Sequence, residues 1–446
     1  MCNNFAYVIM LSAAKDILAT QQGVAPANDS LNDACQEKIT RRDCSPISTG
    51  SVLLADILPA LVVKVVAPFF MYRVPFGIRH LVVVLLQGGS FIVVANSRTV
   101  ATGLAGVVIA SAGSGLGEVT YLSLASYFSS RVVTTWSSGT GGAGVLGAFT
   151  YAALTDSHML AMSPRTALLT MLFIPAVFAF TYWKVLILPS TVHRVSLTYP
   201  STYLVPSYGK VSRTDNDNDE DVRLLDEDDE RPVNVSRDFS FSQKLAMFKP
   251  LLRFMVPLSL VYFAEYFINQ GLVELLVFDC AHGFSLSKSS QYRWYQVIFK
   301  LCVAYAELYY FKEYSFASLL NITMSREWQV LYQIGVFISR SSIDCFAVPI
   351  SFLPLLPVLQ LMNAAFFFVD TLDQIVPHIW MIFGLVFCEG LLGGCAYVNT
   401  FSAIHKSVDA EKREFSMGFA SMSDSFGIVL AGFLAIPAHN FICNNT

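Results

Sequence analysis

The stretch LLRFMVPLSLVYFAEYFINQGLVELLVF, residues 251–278, decides the fold class. At about 1.5 Å rise per residue, a helix over this stretch exceeds the ~30 Å hydrocarbon core of a bilayer. It is apolar around most of its circumference, whereas a helix at the surface of a soluble domain carries a broad polar face. Inside it runs one polar stripe: Glu265 has Tyr262 three residues before it and Asn269 four residues after it, with Gln270 alongside. A helix that is apolar outside and polar along a single line suits a membrane bundle with a hydrophilic interior.

The rest of the chain repeats the pattern. Apolar stretches at Phe5–Leu18, Ser51–Met71, His80–Ala95, Thr102–Leu124, Val132–Leu154 and Ala167–Leu188 precede a polar segment, Pro189–Lys244. Further stretches follow at Leu251–Phe278, Val330–Cys345, Phe352–Val369, Ile375–Tyr397 and Met417–Phe441. Only helices and closed barrels satisfy every backbone N–H in lipid. The reading is therefore an all-α polytopic membrane protein of about eleven spans, arranged as two halves in the manner of major-facilitator transporters. Residues 1–188 form the first half, 189–246 an acidic cytosolic loop, and 247–446 the second half. Composition agrees: 54% of the 446 residues are hydrophobic and 14% charged, with mean hydropathy +0.52. Soluble domains carry about 25% charged residues. A net charge of −4 gives no case for nucleic acid, and the nine cysteines show no metal-site spacing. The first stretch is too short to span and lacks the flanks of a signal peptide, so it reads as the remainder of a longer span.

Charge sets the orientation. Arg73 and Arg79 flank one turn, and Lys406, Lys412 and Arg413 precede the last span; both places are expected in the cytosol. The loop Ala19–Gly50 then faces the lumen, where Asn28-Asp29-Ser30 is a glycosylation acceptor pattern at Asn28. The middle loop is dense in carboxylates from Asp215 to Glu230, a composition that stays solvated. Within it, Glu220 stands four residues before Leu224 and Leu225, the acidic-dileucine pattern that clathrin-adaptor sorting machinery reads.

Carboxylates inside spans are costly and mark functional candidates. They are Asp56, Glu118, Glu265, Glu389 and Asp424, with Lys64 as a cationic partner two helical turns from Asp56. Tyr121 shares a helix face with Glu118, and Tyr397 with Glu389. The expected substrate and proton pathway thus comprises Asp56, Lys64, Glu118, Tyr121, Tyr262, Glu265, Asn269, Gln270, Glu389 and Tyr397. Glu118 and Glu265 are expected to line one cavity from opposite halves. Such carboxylates serve either to hold helices together or to carry protons during transport. Gly113, Gly115 and Gly117 allow close helix approach, and the run Ser137–Gly144 packs helices too, since it lacks the ending of a phosphate loop. No Ser-His-Asp or metal grouping is visible, so the chain is read as a non-enzyme without metal or cofactor.

Several of these words also match a known family. Cys2–Ala14, Ser114–Thr120, Trp136–Gly144, Val261–Leu272, Tyr292–Gln296, Ser339–Ser342, Glu389–Gly394 and Ala396–Phe401 occur in order, and by them the chain is identified as a member of the battenin family. The resemblance implies a major-facilitator-like fold, residence in late-endosomal and lysosomal membranes, and roles in lysosomal pH, basic amino-acid balance and glycerophosphodiester clearance. Three departures stand out. The family's cytosolic N-terminus is absent. Its C-terminal prenylation box is degraded to Cys443-Asn444-Asn445-Thr446. The Gly/Asp/Arg/Lys gating loop of typical major facilitators is not visible around Arg73–Arg79. Residues 297–329 also interrupt the match, and Glu307, Lys312 and Glu313 make them a poor span, so they read as a non-native insertion.

Two functions follow. One is a secondary transporter moving a small polar solute, alone or with protons. The other is a non-transporting regulator of lysosomal trafficking and pH that acts through cytosolic partners. The dileucine reading is tested by replacing Leu224 and Leu225 with Ala. The variant is expected to shift toward the plasma membrane in surface biotinylation, and undiminished lysosomal arrival would show that another signal suffices.

Overall fold

A computed structural model describes residues 1–10, 49–155, 160–196, 198–205, 239–282, 331–343 and 347–444. Among these there are helices and no strand. The first half holds α1 (residues 2–10), α2 (Thr49–Phe70), α3 (Phe76–Ala95), α4 (Val100–Ala125), α5 (Arg131–Thr155), α6 (Pro164–Thr170) and α7 (Phe173–Phe180). The second holds α8 (Phe241–Phe267), α9 (Leu331–Ser341), α10 (Leu355–Asp373), α11 (Ile379–Ser407), α12 (Ala410–Ala420) and α13 (Met422–Asn444). Among the described residues, eight helical segments are long and apolar enough to cross a membrane: Leu53–Arg73, Phe76–Ala95, Val100–Ala125, Pro164–Val185, Phe241–Leu272, Ile350–Asp373, Ile379–Ser407 and Ala410–Asn444. Of the other expected spans, α5 has 25 residues but is rich in Gly, Ser and Thr, while α1 and α9 border undescribed residues. The acidic segment with Glu220, Leu224 and Leu225, the expected acceptor Asn28, and residues 297–329, expected to be an insertion, all lie outside the described residues.

The side chains are distributed as lipid requires. Val62, Val66, Leu85, Phe173, Met362 and Phe433 point outward and are exposed, whereas Lys64, Glu118, Glu265, Arg340 and Glu389 are buried. Polar groups gain partners inside the bundle that hydrocarbon cannot offer. Helix ends are finished by short polar side chains. At the start of α4 the Thr99 hydroxyl accepts from the Thr102 N–H and Thr102 reciprocates, and at the start of α8 Gln243 accepts from the Ser240 N–H.

Each half packs around its own apolar cluster: Phe5, Ile9, Phe91, Ala110 and Tyr151 in the first, Ile268, Phe367, Ile382 and Ala435 in the second. A third cluster joins the halves, with Leu122 and Val133 from one and Phe254, Phe401 and Ile428 from the other. The halves meet where α2 packs on α13, α5 on α9, and α4 on α12. Small residues permit the closest approaches. A Cβ on Gly115 would lie 2.9 Å from the backbone of Ala60, and Gly117 seats the side chain of Asn3. Gly141 and Gly144 admit Phe337 and Gln333 of α9, so the run Ser137–Gly144 is a packing surface.

Two helices end in a π turn, Thr181–Val185 after α7 and Ile268–Leu272 after α8. Each carries polar or aromatic residues of the interior, a placement typical of π turns near functional sites. Cys280, beyond α8, and Cys443, in the last turn of α13, are each disulfide-bonded, a state that the scattered cysteine spacing did not suggest.

Glycine packing makes a direct test. A Cβ on Gly427 would overlap the Ser259 carbonyl oxygen and lie 2.9 Å from the Phe263 nitrogen, both backbone atoms of α8. Gly427→Ala is expected to cost about 1–3 kcal/mol, as overpacking does, and to lower the thermal midpoint of the purified protein in detergent. Gly384 has nothing within 4 Å of its added Cβ. Gly384→Ala is expected to leave the midpoint unchanged or slightly raised, and equal losses in both variants would refute the packing argument.

Candidate functional site

The polar interior is organised around Lys64. Proline-containing α2 brings this lysine to the interface of the halves, where its side chain is almost fully buried. Its Nζ lies 2.6 Å from Glu118 Oε2 of α4 and 2.9 Å from Asp424 Oδ1 of α13. One carboxylate comes from its own half and the other from the opposite half. Asp424 is anchored further, accepting from the Ser425 hydroxyl at 3.1 Å. The other oxygen of Glu118 accepts from the Tyr397 hydroxyl of α11 at 2.7 Å. Two bonds therefore cross the interface at one place, Lys64 to Asp424 and Tyr397 to Glu118.

From Tyr397 the network spreads. The Trp136 indole donates to the same hydroxyl at 3.4 Å, and the Arg340 guanidinium lies 4.1 Å from the centroid of the Tyr397 ring. Arg340 donates to Thr140 Oγ1 at 2.5 Å and to the Tyr262 hydroxyl at 2.6 Å. Beyond it is a second carboxylate group. Asn269, on the π turn of α8, donates to Glu389 Oε1 at 2.9 Å and to the Glu265 backbone carbonyl at 3.1 Å. The Glu265 carboxylate sits over Gly393 of α11, in space that any side chain at 393 would fill. Gln270 is buried beside them.

Lys64, the expected cationic partner, takes Glu118 and Asp424, while Asp56 stands eight residues away on the same helix, about 12 Å along its axis at ~1.5 Å per residue. Asp56 is fully buried, with both carboxylate oxygens lacking a hydrogen-bond partner among the described residues. Tyr121, on the face that Glu118 shares, takes other partners. Its hydroxyl meets His80 Nδ1 and its ring stacks on Trp136 at 5.3 Å. His80 in turn stacks on Tyr182 at 4.3 Å and meets Phe178 and Trp183 edge-on.

Glu118 and Glu265 are both buried, come from different halves, and both lie within electrostatic reach of Arg340. The sequence reading passed over Arg340, Trp136, Thr140 and His80. For Arg340 a signal existed, because a cation at the end of an apolar stretch is as costly as a carboxylate. For the others the signal is contact, which needs the fold.

A second set of contacts closes the end that carries Arg79, Lys412 and Arg413. Glu414 of α12 lies 3.5 Å from Arg79 Nη2 and accepts from the Tyr127 hydroxyl at 2.6 Å, while Ser123 donates to its backbone carbonyl at 3.2 Å. His405 of α11 meets the Phe128 carbonyl at 3.1 Å.

Paired helical halves with an ion network at their junction define the class as a membrane protein of the major-facilitator fold. Solved structures agree on the fold. The human organic anion transporter MFSD10 superposes over 100% of this chain and 92% of its own, with TM-score 0.54 and 14% identity. The major facilitator superfamily transporter FucP in its outward conformation covers 99% and 91%, with TM-score 0.50 and 12% identity. In sequence, the family model described as CLN3 protein matches residues 1–307 and 304–445, two segments that meet inside 297–329. Battenin of Canis lupus familiaris is 41% identical over 453 residues, spanning 100% of this chain and 89% of its own length. The chain belongs to the CLN3, or battenin, family.

The ion network is tested at its centre. Lys64→Met leaves two buried carboxylates without their cation and is expected to cost about 3–5 kcal/mol, read as a lower thermal midpoint in detergent. The double variant Lys64→Met with Asp424→Asn is expected to recover part of the loss. No recovery would show that Asp424 is not held by Lys64.

Proposed function

We propose that this chain is a secondary transporter of the lysosomal and late-endosomal membrane. In this reading it moves a small polar solute out of the lumen and contributes to lysosomal pH, basic amino-acid and glycerophosphodiester homeostasis. The observation that carries the reading is Lys64 shared between Glu118 of one half and Asp424 of the other. Buried ion pairs rarely repay their desolvation in stability. A regulator acting through cytosolic loops has no need for one at the junction of two halves. A transporter does, because rocking of one half against the other requires bonds that break and re-form around a central site.

The chain divides in this reading into halves 1–188 and 247–446 around a cytosolic segment, 189–246. The ends bearing Arg73, Arg79, Lys412 and Arg413 face the cytosol. Disulfides at Cys280 and Cys443 support that orientation, since both cysteines lie at the opposite ends, where an oxidising lumen allows the bond. A disulfide occupies Cys443 and argues against its prenylation. Contacts of Glu414 with Arg79 and Tyr127 then close the cytosolic side. The break in the family match inside 297–329 supports reading that segment as an insertion. Sorting through Glu220, Leu224 and Leu225, and glycosylation at Asn28, belong to the same proposal.

Proton coupling is assigned to Glu265, a buried carboxylate with Asn269 and Glu389 on one side and Arg340 on the other. Flux of basic amino acids and glycerophosphodiesters is measured in proteoliposomes with and without a proton gradient. The gradient is expected to accelerate uptake, and Glu265→Gln is expected to flatten its pH dependence while the protein stays folded. Unaltered pH dependence in the variant would remove Glu265 from coupling, and absence of flux for every solute would favour the regulator.

A further inference from the structure

Arg340 is held in a way that Lys64 and Arg79 are not. Those two cations meet carboxylates: Glu118 and Asp424 at Lys64, Glu414 at Arg79. Arg340 is 8% exposed and, among the described residues, meets only neutral groups at hydrogen-bond distance. A guanidinium carries five N–H donors and no acceptor. Here Nη1 donates to Thr140 and Nη2 to Tyr262, while the buried Nε has no acceptor among the described residues. The second hydrogen on each Nη is likewise without an acceptor among the described residues. No carboxylate among those residues comes within ion-pair distance; Glu118 and Glu265 act on Arg340 from further away.

A mere tie between helices would not need this residue. Neutral side chains can bridge two hydroxyls without the cost of burying a charge. What a guanidinium adds is a planar fork of donors that matches a carboxylate or a phosphate. The Tyr397 ring lies 4.1 Å from the guanidinium carbon, so an anion approaches from a side that the ring leaves free. The surroundings come from both halves, Thr140 on α5 and Tyr262, Tyr397 and Arg340 on the second half. That is the location a solute occupies when access alternates.

We infer that Arg340 is the anion-binding group of the central site and takes the carboxylate or phosphate of a small solute. The inference deepens the transport reading and rests on it in one respect, that the bound anion belongs to the solute moved. Lys64, Glu118 and Asp424 complete the charge environment, and Tyr262 and Thr140 aim the guanidinium.

The test separates binding from flux. Full-length protein in detergent is titrated with sodium lactate, inorganic phosphate, ethanolamine and glycerol at matched ionic strength, and the thermal midpoint is followed. Lactate or phosphate is expected to raise the midpoint saturably, and which of the two does so identifies the acidic group. Ethanolamine and glycerol are expected to leave it unmoved. Arg340→Lys keeps the charge but loses the fork, and it is expected to weaken the anion's apparent affinity by about tenfold or more, the loss of one charge-assisted hydrogen bond. Arg340→Gln is expected to abolish the response; should that variant fail to fold, Arg340→Lys decides. No response to either anion, or a wild-type response in Arg340→Lys, would overturn the inference. In proteoliposomes, Arg340-dependent binding without flux would retain the anion site and remove transport. Solute flux unimpaired in Arg340→Lys would remove the anion site and retain transport.

Discussion

A lysine buried between membrane helices must be neutralised, and the position of Lys64 makes both halves of the molecule answer to that need. Bringing an ammonium group out of water carries a large desolvation penalty, which only close, well-placed carboxylates offset. Glu118 and Asp424 approach within 2.6 and 2.9 Å. Because they sit on α4 and α13, the requirement fixes how α2 lies against helices of both halves. Tyr397 then occupies the free oxygen of Glu118. Trp136 and Arg340 are positioned in turn by that tyrosine.

The remaining structure can be read as accommodation of this centre. Gly115 lets α4 come against α2 so that Glu118 reaches Lys64, and Gly427 lets α13 come against α8 near Asp424. The π turn after α8 sets Asn269 toward Glu389, and the π turn after α7 sets Tyr182 against His80. Apolar residues turn outward because the bundle spends its polar groups on one another. At one end, Glu414, Arg79 and Tyr127 repeat the logic of a charge shared across halves, closer to water and with a looser ion pair of 3.5 Å.

Kinship and fold converge from independent directions. Relatedness to battenin rests on sequence along the whole chain. The major-facilitator likeness rests on shape alone, at an identity where sequence carries nothing. The fold explains how the family's in-order words come together: Trp136–Gly144, Ser339–Ser342 and Ala396–Phe401, distant along the chain, supply Trp136, Thr140, Arg340 and Tyr397 to one network.

The sequence by itself determined the class, because hydrophobicity and charge scarcity are properties of composition and need no partner to be read. Eight of the spans were legible for the same reason, and so were Glu118, Glu265, Glu389, Asp424 and Lys64, since a charge in an apolar run stands out in one dimension. Helical periodicity went further only locally: it linked Glu265 with Asn269, which donates to the Glu265 carbonyl, and it placed Asp56 near the face of Lys64 and Tyr121 on that of Glu118 without naming the partner of any of them. Tertiary structure alone decided which charges pair. Lys64 and Asp424 are 360 residues apart, Arg340 and Thr140 are 200 apart, and no periodicity spans such distances. Trp136, Thr140 and His80 were invisible for a related reason: aromatic and hydroxyl residues are ordinary in membrane helices, and what marks these is the neighbour that folding places against them.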